Sequence, residues 1–200
     1  MFLAVIGITM LSFCLGCGDN KVSEKSTKEP LPSYDITETK KLSYDRLSIH
    51  VVVSDPVSTE QIKSIANEII ENEKSAQPFC AIAIFFNDYP EYIGSGASLG
   101  IITFGPDGKI GYDKNVKKGN YDKMSFTYDI KNKKWEDRLT PEEVVIWNTT
   151  HQFFLKQRAN ADERPEEELF KETATAQNLP VEKVTSIFIK QSSWSNQNIK

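Results

Sequence analysis

Leu47, Ile49, Val51 and Val53 alternate with Ser48, His50, Val52 and Ser54. A period of two puts the first set on one side of an extended chain, so this segment reads as a strand with one apolar face. After Ser58 the period changes. Ile62, Ile65, Ala66, Ile69 and Ile70 recur at three- and four-residue spacing, the stripe of a helix over about 59–74. Ser58-Thr59-Glu60-Gln61 fits a capping box at its start. Phe79 to Phe86 is nearly continuous in apolar residues and has strand length, as expected of a central strand covered on both faces. Ala97 to Phe104 reads as a third strand. Pro106-Asp107-Gly108 supplies a turn, and Lys109 to Tyr112 is the expected hairpin return. Met124 to Ile130 alternates again, as an edge strand would.

The last third of the chain is helical in pattern. Thr140-Pro141-Glu142-Glu143 combines a cap, a proline at the first helical position and a glutamate at the third. The helix that follows, 141–158, carries Val144, Trp147, His151, Phe154 and Leu155 on one side. Arg164-Pro165 opens another, with Leu169, Phe170, Thr173 and Ala174 inward. Asn178-Leu179-Pro180 breaks it, and a final helix over 181–193 turns Val181, Val184, Ile187 and Phe188 inward. The order β-α-β-β-(β)-α-α-α predicts an α+β domain: a mostly antiparallel sheet of four to five strands with helices packed on one face.

The amino-terminal end follows neither pattern. Every Asp, Glu, Lys and Arg lies beyond Cys17, and Phe2 to Leu15 is an apolar run of 14 residues. A membrane span needs about 20 residues, whereas this length suits the apolar core of a signal peptide. The run ends in Leu15-Gly16-Cys17. From Gly18 to Ser33 only Val22 and Leu31 are large and apolar, so this segment reads as a flexible tether. The expected organisation is a signal peptide over 1–16, Cys17 and a tether over 17–33, and one domain over 34–200.

Small residues before a cysteine at the end of such a run resemble the lipobox of bacterial lipoproteins. Cys14 stands three before Cys17, where that family usually has Leu, and no Lys or Arg precedes the run. The other register, Leu11-Ser12-Phe13-Cys14, puts bulky Phe13 beside the cleavage site. The resemblance implies cleavage before Cys17, lipid attachment at Cys17, and a domain held on the cell membrane or outer membrane, outside the cytoplasm. It implies acyl chains as the membrane contact and an envelope protein as partner. Beyond Cys17, the strand from Arg46 to Ser54, the helix start at Thr59-Glu60-Gln61-Ile62, the 79–86 strand and a helical end near Trp194 resemble small lipoproteins with a domain of uncharacterised function. That resemblance lends no activity.

Composition narrows the chemistry. With 24 Lys and Arg against 28 Asp and Glu, the net charge is −4, so no nucleic-acid partner is expected. The apparent helix-turn-helix from Phe170 to Phe188 offers only Lys183 and Lys190 in its last helix. His50 and His151 are the only histidines, and no paired His or Cys spacing is present, so no metal site or cofactor is expected. His151 belongs to the apolar stripe of its helix, as a hydrogen-bonded histidine at the core edge. Cys80, within an apolar run, reads as a small buried hydrophobe. Asp162, Glu163 and Glu166 to Glu168 are placed to complement a helix dipole. Eight lysines between Lys109 and Lys134, with interleaved aromatics, form either a solvated sheet edge or a surface for anionic head groups.

The loop Gly94-Ser95-Gly96-Ala97-Ser98-Leu99-Gly100 is the most suggestive feature. It lacks the spacing of phosphate and dinucleotide loops, and Ser95 and Ser98 have no nucleophile-elbow motif. No catalytic residue is assigned. The expected function is a membrane-anchored binding or interaction module without chemistry of its own. One alternative is a lipid-anchored hydrolase with a site near residues 94–100. Another is a cytoplasmic or membrane regulator, if the leading segment is not a signal peptide.

Overall fold

The computed structural model describes residues 30–111, 113, 115–160 and 164–199. The expected signal peptide, the lipid attachment at Cys17 and the tether as far as residue 29 lie outside the described residues. Tyr112, Lys114, Asp162 and Glu163 do too.

Five strands form one sheet in chain order: β1 (Asp35–Leu42), β2 (Arg46–Val52), β3 (Ala81–Asn87), β4 (Gly100–Pro106) and β5 (Met124–Ile130). Helix α1 (Thr59–Ala76) separates β2 from β3 in sequence, and those two strands are parallel. The other three neighbouring pairs are antiparallel. Helices α2 (Pro141–Ala159), α3 (Glu166–Gln177) and α4 (Val181–Asn196) complete the α+β fold.

Two details differ from the sequence reading. Strand β1 gave no signal because it is an edge strand exposed over nearly its whole length, so it has no apolar face to alternate. The turn at Asp107-Gly108 does form, with positive φ at both residues and Gly108 N donating to Gly105 O at 3.0 Å. Residues 109–111 do not return as a strand, however, and β4 pairs instead with β5. The connecting segment is tied down elsewhere: Arg46 Nη1 donates to Ile110 O, and Gly119 N to Phe79 O.

Helix α1 covers one face of the sheet. Its Ile62, Ile65, Ala66, Ile69 and Ile70 meet Leu47, Ile49, Val51, Ile82, Ile84, Phe86, Ile102 and Phe104. Each buried isoleucine contributes about 1.5–3 kcal/mol of transfer free energy. The expected capping box forms at Ser58/Gln61, and the expected helix start at Thr140 closes as a capping box too, with Glu143.

The other three helices build a second apolar cluster from Val144, Trp147, Phe170, Ala174, Val184 and Ile187, with Tyr92 and Leu139. Asn178, in the left-handed conformation, turns the chain between α3 and α4, where Leu179 N donates to Ala174 O. Trp194, near the end of α4, belongs to the sheet core rather than to this cluster.

Candidate functional site

Strand β3 ends at Asn87, and the chain there enters a tightly bonded corner. Asn87, Asp88 and Ser98 are 0, 0 and 3 % exposed. Ser98 N donates to Asn87 Oδ1 at 2.9 Å, and Asp88 N donates to Ser98 Oγ at 3.1 Å. The Ser98 hydroxyl in turn donates to Asp88 Oδ1 at 2.5 Å. This knot fixes both ends of the loop between β3 and β4. Ser98 is therefore a structural residue.

Burial raises the Asp88 carboxyl above its usual range. Ser98, Trp194 and Arg138 oppose that rise. Arg138 Nε stands 4.0 Å from Asp88 Oδ2. Trp194 Nε1 is close enough to favour the carboxylate but outside hydrogen-bond geometry, so Oδ2 and Nε1 both lack a hydrogen bond.

The middle of the same loop is exposed. Gly94 and Gly96 have φ of +89° and +121°, and Ser95 lies between them. A Cβ at either glycine would meet nothing within 4 Å, so conformation rather than space calls for glycine there. Ser95 Oγ reaches His151 Nε2 at 2.9 Å. The His151 ring stacks on Trp147, one turn earlier in α2, at 4.8 Å and 10°. Tyr92 packs edge-on against the same indole. Burial and then Arg158 lower the His151 pKa below its ordinary value of 6.5, so the ring is neutral at pH 7 and can accept the Ser95 hydroxyl proton.

Between this loop, α2 and α4 lies a cleft of about 320 Å³. Its walls include Asn87, Tyr92, Ser95, His151, Phe188 and Gln191. Three buried polar atoms of these residues have no hydrogen-bond partner: Asn87 Nδ2, Tyr92 OH and Gln191 Oε1. Each such atom costs about 1–3 kcal/mol when left unpaired. Among the described residues Lys131 is the one ionised side chain on the wall, and its ammonium is already engaged. It donates to Ala97 O at 3.0 Å and to Ser195 O at 2.6 Å. Lys133 likewise donates to Trp194 O. Burial lowers both lysines, Lys133 to about 8. Two of the eight lysines of the basic stretch thus cap the carboxyl end of α4 rather than forming a solvated edge.

The remaining sequence candidates lie elsewhere. His50 stacks on Phe85 at 4.9 Å, with Glu38 at 3.9 Å, and does not line this cleft. Cys80 precedes β3, about 23 Å of strand from Asn87 at 3.3 Å per residue. It is half-buried rather than buried, and burial pushes its thiol pKa up. Among the described residues no group of three His, Cys, Asp or Glu could hold a metal ion, and no helix is long and apolar enough to cross a membrane. The chain matches no protein-family model, and no curated protein or solved structure is significantly similar to it.

Ser95 and His151 are 56 residues apart, so no local motif could pair them. The one available signal was the four-residue step from Trp147 to His151, which turns the imidazole inward.

Proposed function

We propose that this protein is a lipid-anchored binding module of a bacterial envelope, holding a small uncharged polar molecule in the cleft between the 93–99 loop, α2 and α4. The observation that carries the binding role is the cleft itself, about 320 Å³, where the Ser95, His151 and Gln191 side chains stand beside Trp147 and Phe188. A pocket with apolar walls and a few polar groups is what a ligand site requires. The polar groups also suggest the ligand class. The lining side chains include amides and hydroxyls, and the Lys131 ammonium is turned onto the Ala97 and Ser195 carbonyls. A ligand with hydroxyl or amide groups and no net charge matches them. The anchor rests on the uncharged leading segment and on Leu15-Gly16-Cys17. Two or more acyl chains would make attachment durable, since one chain binds only marginally.

One test has two arms. Mass spectrometry of the mature amino-terminal peptide from membranes is expected to show acylated Cys17, lost in Cys17→Ser. Ligand-observed NMR is expected to show saturation transfer to N-acetylglucosamine but not to anionic glycerol 3-phosphate. An intact Met1 would remove the anchor. Equal transfer to both probes, or to neither, would remove the uncharged-ligand reading.

A further inference from the structure

The cleft holds more than binding groups. We infer that Ser95 and His151 form a nucleophile–base pair that cleaves small uncharged carboxylic esters. This rests on the cleft reading above but can fail separately from it.

Four observations converge on the pair. The first is contact: Ser95 Oγ and His151 Nε2 are 2.9 Å apart, within the range that proton transfer requires. The second is presentation. Positive φ at Gly94 and Gly96 folds a tight turn around Ser95 and leaves it exposed on the cleft wall.

The third is orientation of the base. No carboxylate contacts His151 among the described residues, so the third member of a triad is absent there. The stack on Trp147 fixes the ring plane instead. The fourth is a supply of oxyanion donors. Among the described residues, the amides of Gly96 and Ala97 donate to no acceptor. They directly follow the nucleophile, where acyl-transfer sites commonly place a donor for the developing oxyanion.

The reaction balances with water alone. Ser95 Oγ attacks the ester carbonyl, forming an O–C bond as its proton passes to His151 Nε2. The tetrahedral intermediate collapses, the C–O bond to the alcohol breaks, and the imidazolium returns its proton to the leaving alkoxide. Water, deprotonated by the now neutral His151, then attacks the acyl-serine. It releases the carboxylic acid and restores the Ser95 hydroxyl. Without a carboxylate on the imidazole the turnover will be slow, since loss of that partner costs a serine hydrolase about 10⁴-fold.

An uncharged alkyl fluorophosphonate applied to the full chain in detergent tests the pair by mass. The expected result is one adduct, mapped to the peptide carrying Ser95 and absent from Ser95→Ala. The labelling rate should fall at least 100-fold in His151→Asn, within the range contributed by general-base catalysis. In wild type the rate should rise with pH and level off with a midpoint below 6.5, as the imidazole loses its proton. Arg158 on α2 favours the neutral ring, and Lys131 is the other cationic side chain near the pair, on the wall of the same cleft.

Circular dichroism confirms that each variant is folded. Absence of a Ser95 adduct on folded wild type would overturn the pair, as would equal labelling in His151→Asn. Retained N-acetylglucosamine transfer in that event would leave the binding reading standing. Loss of both would sink the two together.

Discussion

Truncating Trp194 to alanine is expected to lower unfolding free energy by about 3–5 kcal/mol, the range for deleting a buried large aromatic side chain. The indole is 1 % exposed and packs into the sheet core, edge-on to Trp135 at 5.7 Å. It is the α4 residue that enters that core, so its loss weakens the join between the two apolar clusters. Gln191 and Ser195 flank it on α4 and line the cleft. The cleft should therefore loosen with the core, and saturation transfer to N-acetylglucosamine should drop in the same variant. Trp194→Phe, which keeps a ring in the core, should recover most of the stability. Urea unfolding measures both. A loss below about 1 kcal/mol in Trp194→Ala would mean that α4 is held independently of the sheet.

Gly100→Ala is the second large effect, and its cause is backbone rather than core. Gly100 starts β4 at φ +141°, directly opposite Ile130 of β5. An added Cβ would stand 2.4 Å from Asp129 O and 2.7 Å from Ile130 Cα. Neither is a flexible side-chain end, so β4 and β5 would have to part. Unfavourable φ costs about 1–3 kcal/mol and overpacking about as much again, so a loss of about 3 kcal/mol or more is expected. Gly94→Ala separates the two causes. It meets nothing within 4 Å and carries only the cost of φ +89°, so it should lose about 1 kcal/mol. Equal losses in the two variants would mean that the contact with β5 is not what matters at Gly100.

These positions show what was legible beforehand. The α+β class, α1 with its stripe, the caps at Ser58 and Thr140 and the helical last third follow from apolar periodicity and local capping, which are short-range signals. Strand β1 was invisible because Asp35 to Leu42 is exposed along almost its whole length. Residues 109–111 do not pair as a return strand, because turn chemistry at Asp107-Gly108 says that the chain reverses, not how far it runs before pairing. Strand β5 begins only at Met124. The 94–100 loop drew attention through its glycines. What it does depends on partners from other elements, His151 on α2 and Gln191 on α4, and no spacing within the loop encodes those. Lys131 and Lys133 looked like surface charge, since composition does not distinguish a solvated lysine from one capping a helix 60 residues away.

The most direct test of the reserved cleft is the stability of Tyr92→Phe without ligand, measured beside its probe binding. The Tyr92 ring is 2 % exposed, its hydroxyl has no partner, and the substitution leaves the ring itself in place. If that hydroxyl is kept for a ligand, removing it relieves an unpaired buried group. Stability should then rise by about 1 kcal/mol. For a domain of this size that is about 2–4 °C in Tm. Saturation transfer to N-acetylglucosamine should weaken at the same time. A variant that is less stable than wild type and binds the probe equally well would contradict the account, because the hydroxyl would then serve the fold and not a ligand.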